Sequence, residues 1–238
     1  MCRKSEFCIL LGNNPELWDK NVPLPIPDWF ESQLTLFSLA VEKAVSGQIA
    51  EARDVLQMIR SDEMRQWFDE HGQMSGINRN KKLAIRVSPA PLAELDPIRA
   101  PKPIEKKVFE RDSYTCRYCG LRLISKEVLS AMESLVGSAS FGTKGKNAEQ
   151  HGVVHAFKIV ADHVVPHRQG GRTNLENLVS ACPACNYGKY NFTVEQLGIS
   201  DPRDRPPSNS KWDGLTSLIA DLKKKKETPE REDTDTSG

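Results

Sequence analysis

FKIVADHVVPHRQGGRTNLENLVSACPACNYGK, Phe157 to Lys189, sets an acid beside a histidine just where an apolar run stops. Residues 153–161, VVHAFKIVA, read as a strand that ends at Asp162-His163. Gly170-Gly171 then turns the chain toward a second strand that follows Asn177-Leu178. Pro183 favours a helix start at Cys182, and on that helix Asn186 and Lys189 lie three apart on one face. Neighbouring residues on a strand point to opposite faces, so Asp162 and His163 can flank a single ligand. Taken singly, each residue has a duller reading. Asp162 can cap a turn, Asn186 can satisfy a helix end, and Lys189 can be plain surface. His155 and His167 are read as structural or solvated, not as ligands.

The same stretch holds half of a second pattern. Cys116-Arg117-Tyr118-Cys119 and Cys182-Pro183-Ala184-Cys185 are two CxxC pairs, 62 residues apart. Two intervening residues let both thiols of a pair reach one ion from a tight turn, and a second pair completes a tetrahedral zinc shell. Four cysteine ligands leave no open position, so this zinc is expected to be structural and not to activate water. Cys2 and Cys8 stand apart and read as plain thiols.

Order and spacing together resemble the HNH endonuclease family. The features that carry the resemblance are Asp162-His163 after an apolar run, Pro166, Gly170-Gly171, Asn177-Leu178, and Cys182-x-x-Cys185-Asn186-x-x-Lys189, with RDSYTCRYCG as lead-in. It covers about residues 104–198. The fold it implies is α+β: a ββα-metal nuclease module stapled by the four-cysteine zinc site, with a helical region in front. The activity it implies is metal-dependent hydrolysis of phosphodiester bonds, with DNA as the expected partner. A histidine with an ordinary pKa near ~6.5 suits a general base at neutral pH, and a carboxylate suits Mg²⁺ or Mn²⁺. On this reading His163 is the base, Asp162 and Asn186 hold the catalytic ion, and Asn177 pins the loop. Arg168 and Lys189 hold phosphate oxygens. The position of Asn186 is histidine in many members, and the long interval between the cysteine pairs makes 121–152 an insertion. The rival reading is a catalytically silent zinc-stabilised adaptor for nucleic acid, or a scaffold whose helices matter most.

Outside this module the signals are organisational. Asp28 followed by Glu31 three residues on is a capping-box signature for a helix beginning in WFESQLTLFSLAVEKAV. Gly47 separates it from QIAEARDVLQMIR, and a third segment opens at Ser61. The first two resemble one tetratricopeptide-type hairpin, a unit that needs stacked neighbours. His71 reads as a helix-end residue. Residues 77–103 hold Pro89, Pro91, Pro97, Pro101 and Pro103, a density that breaks helices and implies a linker. Helices are expected in PIEKKVFERD and SKEVLSAMESLVG, a mobile loop in SASFGTKGKNAEQHG, and a short helix in KWDGLTSLIADLKKKK before a disordered tail.

Residues 1–76 carry 7 basic and 12 acidic side chains, net −5, while 77–103 are net +4 and 104–198 net +3. A phosphate backbone should repel the front and face the middle. Residues 1–76 are therefore expected to be a separate helical domain that docks a protein or a second copy through Trp18, Trp29 and Trp67. A fragment 77–238 should then stay soluble and active. With 38% hydrophobic residues there is no apolar run of membrane-spanning length, and Ile9 to Leu11 is too short for a secretory signal. The expectation is a cytoplasmic protein, a setting compatible with restriction or anti-phage defence.

Overall fold

A computed structural model describes residues 26–72, 90–91, 95–207 and 211–227. The expectations for Cys2, Cys8, Trp18, most of the proline-rich linker and the acidic tail lie outside these residues, as does the side chain of His71.

Three helices open the described chain: α1 (Phe30–Val45), α2 (Ile49–Gln57) and α3 (Ser61–Trp67), the last running into a π turn at Phe68–Gly72. In α1, Phe30, Gln33, Leu34, Phe37, Ala40, Val41 and Ala44 are buried, the single stripe that 3.6 residues per turn produces. Gly47, at φ 84°, takes the left-handed turn that folds α2 back on α1. The expected capping box is absent. Trp29 is the N-cap residue, with no side-chain cap, and the Asp28 carbonyl accepts from Glu31 N at 3.4 Å. The Glu31 carboxylate instead pairs with Arg122, across the fold.

The remaining elements are α4 (Lys102–Arg111), α5 (Lys126–Val136), α6 (Gly152–Phe157), β1 (Val160–His163), β2 (Leu178–Ala181), α7 (Pro183–Lys189), α8 (Val194–Leu197) and α9 (Ile219–Glu227). Helix α5 begins and ends where expected. Ser125 Oγ accepts from Val128 N at 3.2 Å, and Gly137 closes the helix at φ 87°. Strands β1 and β2 pair antiparallel in the register Val160 to Ala181 through His163 to Leu178, and α7 follows directly. This is a ββα unit.

Two local expectations are corrected. VVHAFKIVA is not one strand. Gly152–Phe157 is helical, and only Val160 onward is extended. All six residues of α6 are buried, so the segment has no polar face and no periodicity by which to tell helix from strand. The SASFGTKGKNAEQHG segment is ordered, not a mobile loop. Phe141 is fully buried, its ring 5.2 Å from that of Phe37, and Asn147–Glu149 forms a 3-10 turn.

The boundary at residue 76 does not divide the core. One continuous set of buried side chains runs from Phe30, Leu34 and Phe37 to Val153, Phe157 and Leu178. The Phe30 ring lies 5.1 Å from Trp67 and 6.0 Å from Phe157. Arg53 Nε donates to the Val136 carbonyl at 3.0 Å, and Ser61 Oγ accepts from Gly152 N at 2.8 Å. Trp29 and Trp67, expected as anchors for another protein, pack partly buried on this shared core. Helix α9 lies against α5 and α1, with Leu222 fully buried. Among the described residues no helix is long and apolar enough to cross a membrane.

Candidate active site and metal centre

Two knuckles bring the cysteines together. In the first, Cys116 N donates to the Leu121 carbonyl at 2.8 Å, and Gly120 N returns to Cys116 O at 2.9 Å. In the second, Cys182 caps α7, its Sγ accepting from Cys185 N at 3.3 Å. The four sulfurs lie within 4.8 Å of one another, and Cys119 and Cys182 are 3.9 Å apart. A tetrahedron with Zn–S bonds of about 2.3 Å has sulfur–sulfur edges of about 3.8 Å, so the cluster fits zinc. Cys116, Cys119, Cys182 and Cys185 are free thiols, with no disulfide among them. Burial pushes the Cys116 thiol up, but contacts from Cys119, Cys182 and Cys185 bring it well below the ordinary thiol value. Cys182, by burial first and then its sulfur neighbours, and Cys185, by those neighbours first, are pushed well above it, so the buried cluster does not ionise as a whole without a cation.

Asp112 ties the first knuckle to the sheet. Its fully buried carboxylate accepts from Arg111 Nε at 2.8 Å, Arg117 Nη1 at 3.0 Å and Ser180 N at 2.7 Å. Arg117 N also donates to the Ser180 carbonyl at 2.8 Å. The cysteine cluster is thereby fixed against β2, and β2 fixes β1.

Asp162 and His163 close β1, with opposite environments. Asp162 is buried, and its Oδ2 accepts from Tyr118 Oη at 2.7 Å and faces Lys189 Nζ at 3.5 Å. Burial outweighs both partners and raises its carboxyl above the ordinary value. His163 is half-buried. Burial first, then His167 and Lys189, lower its pKa to about 4, against a smaller opposing effect of Asp96. Its imidazole is therefore neutral at pH 7, and burial makes it a weaker proton acceptor than a free histidine. Nε2 of His163 lies 2.9 Å from Thr173 Oγ1.

The loop between the strands is closed by Asn177. Oδ1 accepts from Val165 N, and Nδ2 donates to the Val165 and Arg172 carbonyls, each at 2.9 Å. A Cβ on Gly171 would stand 1.8 Å from the Val165 carbonyl oxygen, which accounts for glycine there. The first glycine of the pair, Gly170, sits at φ 86°.

Residues 151–192 match the family model described as HNH endonuclease. The chain carries an HNH domain. No curated protein and no solved structure matches the chain. The matched segment contains α6, the ββα unit and the second cysteine pair, while the first pair reaches the HNH domain through the fold.

Within the HNH domain one expectation fails. Lys189 is fully buried, paired with Asp162, and its Nζ donates to the Phe192 carbonyl at 3.4 Å. A charge so enclosed balances Asp162 and does not reach a phosphate at the surface. Arg168 is exposed on the 3-10 turn His167–Gln169. Asn186 is half-buried on α7, which packs against β1. Among the described residues no hydrogen bond is found to Asp162 Oδ1 or to the Asn186 side-chain amide. One carboxylate oxygen and one side-chain amide are thus left without a hydrogen-bond partner among the described residues. His155 and His167 make structural contacts, His155 stacking on Phe68 and His167 Nε2 reaching the Asp96 carbonyl.

Sequence reasoning missed Tyr118, which lies between Cys116 and Cys119 but touches Asp162, and the segment Asp96-Pro97. That segment lies beside the loop between β1 and β2. Thr173 N donates to Asp96 Oδ2 at 3.1 Å, and Arg172 Nε pairs with the same oxygen at 3.0 Å.

Proposed function

We propose that this chain is a metal-dependent endonuclease that hydrolyses phosphodiester bonds of DNA, with His163 as general base. The observation that supports it best is the placement of a half-buried histidine, His163, beside a carboxylate at the end of β1 and inside an HNH domain. Hydrolysis requires removal of a proton from water as its oxygen attacks phosphorus, and stabilisation of the charge that builds on the leaving oxygen. His163 takes the proton. Asp162 and Asn186 hold a Mg²⁺-type ion, which when bound supplies Lewis-acid stabilisation of the developing charge. Asn177 keeps the loop that follows His163 in place, and Arg168 binds a neighbouring phosphate. Lys189 and Tyr118 orient Asp162 from behind. Cys116, Cys119, Cys182 and Cys185 bind structural zinc and hold the helix against the strands.

Incubation of supercoiled plasmid with the full chain, in Mg²⁺ and then in EDTA, tests this reading. Nicking that needs the metal and disappears in His163→Ala, at unchanged zinc content, is the expected result. A gel shift without nicking in wild type identifies the adaptor instead, and neither nicking nor binding identifies a scaffold.

A further inference from the structure

The contacts around Thr173 allow a proton count. Thr173 Oγ1 donates to the Pro97 carbonyl at 2.8 Å and lies 2.9 Å from His163 Nε2. A carbonyl oxygen only accepts, and a threonine hydroxyl has a single proton. That proton is committed to Pro97, so the hydroxyl oxygen must accept from His163. Nε2 therefore carries the hydrogen, and the lone pair of the neutral ring is at Nδ1. No hydrogen bond to Nδ1 is found among the described residues.

Thr173 is itself held on two sides. Its amide donates to Asp96 Oδ2, and its neighbour Arg172 is bound both through Nε to Asp96 and through its carbonyl to Asn177 Nδ2. A residue before proline is driven into extended backbone, so Asp96 is biased toward the conformation in which the strap runs past the loop.

We infer that Thr173 is a positioning residue for the general base, and that the Asp96-Pro97 strap belongs to the active site, together selecting Nδ1 of His163 as the nitrogen that takes the proton from water. This rests on the reading of His163 as base. The alternative, a threonine that merely satisfies a loop, predicts no preference between ring nitrogens.

The test uses the full-length protein and two variants. Thr173→Val keeps the shape and removes the hydroxyl, while Thr173→Ser keeps the hydroxyl. In plasmid or oligonucleotide cleavage, Thr173→Val should lower kcat by about 10- to 100-fold, the usual cost of losing an orienting partner, with KM and zinc content little changed. Thr173→Ser should recover most of the rate. Independently of activity, ¹⁵N-histidine NMR near neutral pH, with His163 assigned by its loss in His163→Gln, should show the Nε2–H form in wild type and a mixture in Thr173→Val. An Nδ1–H or mixed His163 in wild type overturns the inference, as does a Thr173→Val variant with wild-type kcat. If His163→Ala still cuts while the NMR result stands, the general-base reading fails and the hydrogen-bond assignment survives.

Discussion

Asp112 shows how much of this site depends on a residue that does no chemistry. It has no exposed surface and serves Arg111, Arg117 and the Ser180 amide at once. Removing one member of a buried ion pair leaves the others uncompensated and costs about 3–5 kcal/mol. Asp112→Ala should lower stability by roughly that amount, measured by urea unfolding with zinc present, whereas Asp112→Asn, which keeps an acceptor, should lose less. At the same scale, the sequence was informative wherever chemistry is concentrated in a short stretch. The four cysteines converge, and Asp162, His163 and Asn177 stand at one end of the two-stranded sheet. Lys189 was misread because burial is a property of what packs on it. Its partner Asp162 is 27 positions away, and nothing in Asn-Tyr-Gly-Lys marks the last residue as internal. Tyr118 and Thr173 escaped for the same reason, since each acts on a partner that only folding brings near.

At the scale of elements, α3 and α6 meet in close contact. A Cβ on Gly152 would meet the Ser61 carbonyl at 2.3 Å, so the two backbones touch. The His151 side chain caps α6, accepting from Val153 N at 3.3 Å. Burial, then Arg65, lower the His151 pKa to about 4, while the Leu56 carbonyl and Asp62 oppose this, and burial also lowers His155. Both folded-state values lie below that of an unfolded imidazole, so the unfolded chain binds more protons as pH falls. The stability is fully present above pH ~6.5 and declines toward pH ~4, by up to about 3 kcal/mol for His151. Urea midpoints across that range should fall less steeply in His151→Gln than in wild type. Equal slopes would show that His151 titrates as it does in the unfolded chain. Secondary structure in this region was the least legible part of the sequence. A six-residue segment buried on every side carries no alternation, and the polar composition of 138–151 hid Phe141, whose pocket is built by α1.

For the whole molecule, the decisive feature is the absence of a gap between the front helices and the HNH domain. The net −5 of residues 1–76 and the proline-rich stretch after them suggested an independent module, because charge and linker composition are visible in sequence and long-range packing is not. The described helices instead spend their apolar stripe on this chain, with Phe30 set between Trp29, Trp67 and Phe157. A chain of 238 residues often unfolds in steps, so a shared core makes a specific forecast. Heating the zinc-loaded protein should give one transition, with the tryptophan signal and the release of zinc to a chelating dye coinciding. Phe30→Ala, which removes a fully buried ring far in sequence from all four clustered cysteines, should cost about 3–5 kcal/mol. It should move both signals to lower temperature together. Were the zinc signal to stay where it is in wild type while the tryptophan signal moved, the HNH domain would be stable without the helices. The sequence expectation that residues 77–238 form an active, soluble fragment would then be restored. The continuous core predicts the opposite, because removing α1–α3 would bare Phe141, Val153 and Phe157 to water.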